Sequence, residues 1–486
     1  MPLPKTSVAF SCADQALQRL YDEAERKAAG NLRLFGDDLV LVEGGGYEKI
    51  WLETQPMGGE MYALRNLEAA LNNSLLFMRH QRADGRIPGS IQCGGGTIEP
   101  QFNKFQGFCF PYPALNLYYL IGRDPAYLDQ LSDCLRRFDE YLWRTRDIGG
   151  CLASFCVYDT GEDNAVRYGD APCWWTEDTP PQGYAVVPMA SMDIMSFSYA
   201  CRDTLSAISR IRGDGQEAFW REQADHVALK LRRFLWDERR GACFDRDRNG
   251  KTVDVLTHNS LRCMYWGSFS RDMADRFVRE HLLNPEEFFT PMPLPSVAVN
   301  DPAFRNIPQN NWSGQPEGLT FQRAIRALEN YGYDTLIPVL GKKLFRAIID
   351  GGYVFTQQFD PFTGAPSMVP LPAQQSGEDK GPIVMQDAYG PTILAVLEYI
   401  AHIWGTRQQL GEVWFSLGGG LAYQWEACWG EHVYRIDSDG QTASVRVDDK
   451  SLYAGPCGVR LITDERGALL RTTRPWNADP NPPSPS

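Results

Sequence analysis

Histidine is scarce: six residues in 486, at His80, His226, His258, His281, His402 and His432, with no HxxxH pair among them. The twelve cysteines include no CxxC, and Cys151 and Cys156, five apart, match neither a zinc nor a thioredoxin-type spacing. No metal and no cofactor are therefore expected. No Lys/Arg-rich run occurs, and the net charge is -13; such a surface repels phosphate backbones, which excludes nucleic acid as a partner. No apolar stretch reaches the length of a membrane span. The opening MPLPKTSVAFSCADQALQRL has one Lys and no run long enough for a secretory h-region. The expectation is a cytoplasmic protein with reduced, mostly buried thiols. CGGGT at 93–97 lacks the Lys-Ser/Thr of a phosphate-binding loop and reads as a flexible lid.

Aromatic side chains are plentiful, with 13 Trp, 21 Tyr and 24 Phe. Most belong in a core, yet the same rings are the natural platform for the C–H face of a sugar. The length and a hydrophobic content of 43% allow one large core plus an appendage. Helical periodicity dominates at 14–29, 59–81, 113–122, 125–145, 189–212, 215–236, 269–281, 317–331, 333–349 and 388–404. These segments come in pairs with short links inside a pair and long Gly-, Pro- and aromatic-rich links between pairs. Without a strict repeat, that rhythm predicts a mainly α, closed (α/α)6 barrel of six hairpins rather than an open solenoid. After about residue 410 short alternating runs such as EVWFSL and TASVRV predict a small β appendage. The expected domains are 1–410 (barrel), 411–472 (β-sandwich-like) and 473–486, a disordered Pro-rich tail.

The long links hold the polar and aromatic residues that chemistry requires, and long loops in compact domains are usually functional. Four of them carry a resemblance. GEDNAVRY (161–168) resembles the Ser-Gly-x-Asp-Asn-Ser-Pro-Arg-Trp stretch of the α/α-barrel glycoside hydrolases that include trehalase, the processing α-glucosidases and mannosylglycerate hydrolase. NNWSGQPEGLTFQRAIRALENYGY resembles their Trp-x-Gly-Pro segment and following helix, QQFDPFTGAP their Glu-x-Tyr-Asp-Pro-x-Thr-Gly segment, and DAYGPTILAVLEYI their closing helix. WDERRGACFDRD at 236–247 is a weaker fifth match, and together the segments span most of 45–405.

The resemblance implies an inverting hydrolase of a small α-linked glycoside or disaccharide, with Asp163 as general acid. The chemistry asks for such a group independently. A glycosidic oxygen leaves poorly unless protonated, and a carboxylic acid does this near neutral pH only with a raised pKa. Trp174 and Trp175 are expected to supply the low dielectric and Glu162 a like charge. Against this stands a surface Asx turn at Asp163-Asn164.

The resemblance also places the general base, which activates water on the far face of the sugar, at Gln357. An amide is not a useful proton acceptor, and four readings follow. Gln357 replaces a native Glu; the base is Glu317 or Glu53; phosphate is the nucleophile, held by Arg167 and Lys104, and the enzyme is a phosphorylase; or the pocket binds sugar without cleaving it. Glu317 and a substituted Gln357 stand first. Trp51, Trp174 and Trp312 are expected to stack on sugar rings, and Glu53, Gln55, Arg167, Tyr168 and Tyr389 to line the substrate site. Asp360, before Pro361, reads as a turn-forming Asp.

Overall fold

A computed structural model of the chain describes residues 2–369 and 385–475. Twelve α-helices run through the described residues: α1 (Gln15–Ala29), α2 (Gln55–Tyr62), α3 (Leu67–Arg79), α4 (Pro111–Leu120), α5 (Pro125–Thr145), α6 (Met192–Arg212), α7 (Glu217–Leu235), α8 (Asn259–Trp266), α9 (Arg271–Phe277), α10 (Gly318–Glu329), α11 (Leu336–Asp350) and α12 (Gly390–Trp404). Their starts follow local chemistry. Asp14 caps α1 by accepting from the Ala16 and Leu17 amides, Asp124 caps α5 with Pro125 at its first position, and Ser191 caps α6.

Even- and odd-numbered helices differ in kind. All fifteen residues of α12 and all eight of α8 are buried, whereas α1, α5 and α7 are amphipathic and bury one face. The buried set forms an inner succession in which α2 packs on α4, α4 on α6, α6 on α8, α8 on α10, α10 on α12, and α12 again on α2. The fold is an α/α barrel with a C-terminal β-sheet region.

Two expectations change. The helix expected over 59–81 is two helices, because Asn66 adopts extended backbone and its side chain caps Ala69 instead of continuing the first. The glycine-rich CGGGT, expected as a flexible lid, has regular structure. It is the turn of a β-hairpin, Ser90–Gly94 with Thr97–Gln101, in which Gly95 and Gly96 take positive φ as a two-residue hairpin turn requires.

The β region contains a four-stranded sheet of Thr406–Gln409, Glu412–Leu417, Val459–Asp464 and Leu469–Thr473, and a five-stranded sheet. The latter consists of Tyr423–Trp429, His432–Ser438, Thr442–Val447, Lys450–Pro456 and, at one edge, Thr6–Cys12, with Thr6 opposite Trp429 and Cys12 opposite Tyr423. The expected limits at 1 and 410 are thus corrected at both ends. Residues 6–12 pair with the C-terminal strands, and the first strand of the four-stranded sheet already begins at Thr406. The expected tail at 473–486 falls, from residue 476 on, outside the described residues. Trp429 Nε1 donates to the Leu120 carbonyl (3.0 Å), and the Arg460 guanidinium donates to Asp334 (2.6 Å), fastening the sheets to the barrel.

No helix of the described residues is long and apolar enough to cross a membrane, and the twelve cysteines are free thiols. One group of candidate metal ligands approaches closely among the described residues, Glu329, Asp334 and His402. Its carboxylates are paired with Arg407 and Arg460, which makes it an ion-pair cluster.

Candidate active site

The inter-helix links converge on a cavity of about 310 Å³, at the small end of pockets that take small ligands. Its wall contains Trp51, Glu53, Asp163, Trp312, Gln357 and Tyr389 from the expected set, together with Lys104, which was expected only as a phosphate ligand. Glu43, Tyr47, Lys49, Gln106, Tyr158, Gly161, Asn310 and Leu319 complete it.

Asp163 enters the wall because the loop that carries it is anchored on either side. Its neighbour Glu162 is turned inward onto Arg167, Arg262 and Asn259. The Asp163 carbonyl accepts from the Trp312 amide (3.0 Å), and Asn164, at positive φ, donates to the Asn310 carbonyl (2.9 Å). Asp163 Oδ2 accepts from Asn310 Nδ2 (2.8 Å), while Oδ1 is buried without a partner. Burial raises its pKa to about 6, against the opposing pull of the Asn310 amide and the Lys104 ammonium. The expected causes are corrected. Trp174 is 58% exposed and meets the Tyr158 ring at a tilt, with centroids 6.3 Å apart, so it does not enclose the acid. Glu162 is driven well below the usual carboxylate range by Arg167, Arg262 and His258 despite its burial, and burial of Asp163 itself, not a like charge from Glu162, carries the shift.

Arg167 is the second correction. It does not face the cavity. Its guanidinium is buried among Glu162, Asp245 and Asp193, the last at 3.3 Å, so its charge is spent inside the protein. Tyr168 is buried beside it, its hydroxyl at 3.0 Å from Ser154 Oγ and 2.9 Å from Thr160 Oγ1. Gln55 is buried at the start of α2 and its Oε1 accepts from the Trp51 amide (2.7 Å) and from Thr54. These three fix the loops that carry site residues rather than lining the cavity themselves. Asp360 behaves as expected of a turn former, accepting from the Phe362 and Thr363 amides.

Gln357 and Asp163 are joined through one side chain. Gln357 Nε2 donates to Asn310 Oδ1 (2.9 Å), and Gln357 Oε1 accepts from the Tyr47 hydroxyl (3.1 Å). The amide is thus satisfied at both ends. Glu317 lies at the N-terminus of α10 but does not cap it. Its carboxyl is fully buried and outside the cavity wall, and neither oxygen makes a hydrogen bond of normal geometry. Burial drives its pKa well up, even with the amides of Gln358 and Gln357 nearby.

Two other acids face the cavity. Glu53 pairs with Arg323 and lies 3.7 Å from Arg262, and its pKa is nonetheless raised to about 7 because burial outweighs both cations. Its carboxyl fills the space beside Gly161, where a Cβ would sit 2.3 Å from Glu53 Oε2, and Gly161 itself has φ +73°. Glu43, not foreseen, accepts from the Tyr389 hydroxyl at Oε1 (3.1 Å) and is pushed well up by burial and by Glu53. The signal for it in the sequence is the Gly-Gly-Gly that follows. All three glycines take positive φ, and a Cβ on Gly44 would lie 2.2 Å from Asn31. The chain turns so sharply only to fold back on residues 388–390, where Gly390 donates to the Glu43 carbonyl (2.6 Å).

The positive side of the cavity is Lys49 and Lys104. Both ammonium groups lie over the Trp51 ring, 5.4 and 5.3 Å from its centroid. Burial lowers the Lys104 pKa to about 8, and Lys49 adds to that shift. Lys104 has Asn103 Oδ1 as hydrogen-bond partner (3.2 Å).

A family model for the mannosylglycerate hydrolase MGH1-like glycoside hydrolase domain matches residues 60–378. Among solved structures, the family 63 mannosylglycerate hydrolase from Thermus thermophilus, in complex with glucose, is similar over 78% of this chain and 99% of its own. The two are 16% identical, with a TM-score of 0.60. The neutral trehalase from Saccharomyces cerevisiae is 13% identical over 78% of this chain and 80% of its own (TM-score 0.55). The α-L-rhamnosidase from Dictyoglumus thermophilum is 11% identical over 91% of this chain (TM-score 0.56), which spans 44% of that protein. At these identities the structures share the fold.

Proposed function

From the chain's membership in the mannosylglycerate hydrolase MGH1-like glycoside hydrolase family, we propose that this glycoside hydrolase cleaves a small α-linked glycoside with inversion, and that Asp163 is its general acid. The observation that carries the reading is the state of Asp163. One carboxyl oxygen is held by Asn310 and the other is unpartnered beside the cavity, with a pKa lifted to about 6. A carboxyl so placed is protonated often enough near neutral pH to deliver its proton to a leaving oxygen. Trp51 and Trp312 supply ring faces for a sugar. We read the inner succession of helices as the core of six hairpins, an (α/α)6 toroid whose catalytic unit ends near residue 405.

Lys49 and Lys104, gathered over Trp51, favour an acidic aglycone, since two partly dehydrated cations gain by sharing an anionic group. A carboxylate such as the D-glycerate bound in one of the Thermus thermophilus complexes fits that requirement. The same lysines, with Gln357 in place of a base, favour phosphorolysis as a second reading. A panel of α-linked disaccharides and glycosyl-glycerates, assayed with and without phosphate, separates the two. Hydrolysis without phosphate, with NMR showing an initial β-anomer from an α-substrate, supports the first. A sugar phosphate formed only with phosphate supports the second, and an initial α-anomer overturns inversion.

A further inference from the structure

The wall of the cavity reads in order from Asp163. Asp163 is bonded to Asn310, Asn310 to Gln357 and Gln357 to Tyr47; the Tyr47 ring meets the Tyr389 ring edge-on with centroids 6.2 Å apart, and Tyr389 is bonded to Glu43. Glu43 and Asp163 therefore stand at the two ends of one run of contacts, and both line the cavity. Gln357 is a working part of this wall. Asn310 turns its only amide nitrogen to Asp163 and its only carbonyl to Gln357, and in this arrangement position 357 donates. With Asn310 so turned, a carboxylate there would set two acceptors against each other. Glu317 is sealed behind the wall, and Glu53 is spent on Arg323 and Arg262. Glu43 lines the cavity, has no cationic partner among the ion pairs of the described residues, and lies outside the matched segment at 60–378.

We propose that Glu43 is the general base of the reaction, a role that rests on the hydrolase reading of the same cavity. Water attacks the anomeric carbon as its proton passes to the Glu43 carboxylate. The glycosidic C–O bond breaks as the Asp163 proton passes to the leaving oxygen. The products are the inverted sugar and the free alcohol, and exchange of one proton each with solvent restores both carboxyls. Tyr389 is a positioning residue, since its hydroxyl holds Glu43 Oε1 and favours the ionised form that can accept a proton.

The test uses α-glucosyl and α-mannosyl fluorides, whose leaving group departs without an acid. Asp163→Asn should lose roughly 10²–10⁴-fold on ordinary glycosides and much less on the fluoride, whereas Glu43→Gln should lose roughly 10²–10⁴-fold on both. Glu43→Gln that hydrolyses the fluoride at the wild-type rate overturns the assignment while the acid and the hydrolase reading stand. So does a Gln357→Glu variant that gains orders of magnitude. Wild-type protein that leaves every fluoride and glycoside intact overturns both readings. Should Glu43→Gln not fold, Tyr389→Phe keeps the proposal open to test. The ionisable groups bearing on Glu43 are Glu53, Asp163, Tyr47 and Tyr389, and loss of the hydroxyl removes one that favours its charge. The limb of the kcat/KM profile that Glu43 sets must then move to higher pH; a profile with neither limb moved overturns the role.

Discussion

Asp163 delivers a proton only while it holds one, so kcat/KM is expected to fall as pH rises through about 6, the value to which burial lifts this carboxyl. The Lys104 ammonium and the Asn310 amide both favour the ionised form. Removing either should raise the pKa and carry the descending limb upward. Lys104→Met and Asn310→Ala are therefore predicted to extend activity to higher pH, measured as kcat/KM between pH 5 and 9; a limb that moves down or stays fixed contradicts the assigned electrostatics. Lys104→Met should also raise KM about tenfold or more for an acidic glycoside and leave KM for a neutral one within about twofold, the difference expected from losing a charge-assisted contact of about 1.5–3 kcal/mol. Equal effects on both would mean the ammonium does not touch the anionic group.

The elements that carry these residues are held from beneath by buried charge. Arg167 ties the loop after Thr160 to α6 through Asp193 and to the strand at Ala242–Cys243 through the nearby Asp245. Arg167→Met leaves three buried carboxylates short of a cation and is predicted to lower stability by about 3–5 kcal/mol, read from denaturant unfolding. A loss below about 1 kcal/mol would mean Arg262 compensates. Gly161→Ala belongs with it, because the added methyl strikes Glu53 and the backbone is left-handed there. It should abolish turnover while shifting the melting temperature by only a few degrees. The fate of Arg167 also shows where reading a sequence stops. Helix pairing, the closing β-strands and the acidic loop at 163 were visible because period and motif are local. The partners that consume Arg167 lie on other elements, and no local pattern announces them. Glu43 carried only the indirect signal of the three glycines after it, because Tyr389, which orients it, is 346 residues away. The break in the helix expected over 59–81 is different in kind. Asn66 was there to be read, but an apolar stripe that continues past a cap outweighs the cap in any periodicity.

Across the molecule, the β region is more than an appendage to the barrel, since the strand Thr6–Cys12 completes the five-stranded sheet and Trp429 and Arg460 bind barrel residues. Removal of residues 1–13 is predicted to expose the edge at Tyr423–Trp429 and to quicken limited proteolysis within 423–456, with a lowered melting temperature. Unchanged cleavage would show that the remaining four strands suffice.

Pairing of Thr6 with Trp429 also fixes an order of events in synthesis. The strand leaves the ribosome ahead of every barrel helix, and its partner follows all of them. Until then the strand has no ladder partner and Phe10 packs on Tyr21 without Tyr423 and Trp425, and contacts this distant in sequence close slowly. A nascent chain halted before residue 423 therefore carries a strand without its ladder partner, an open edge that completed molecules no longer show.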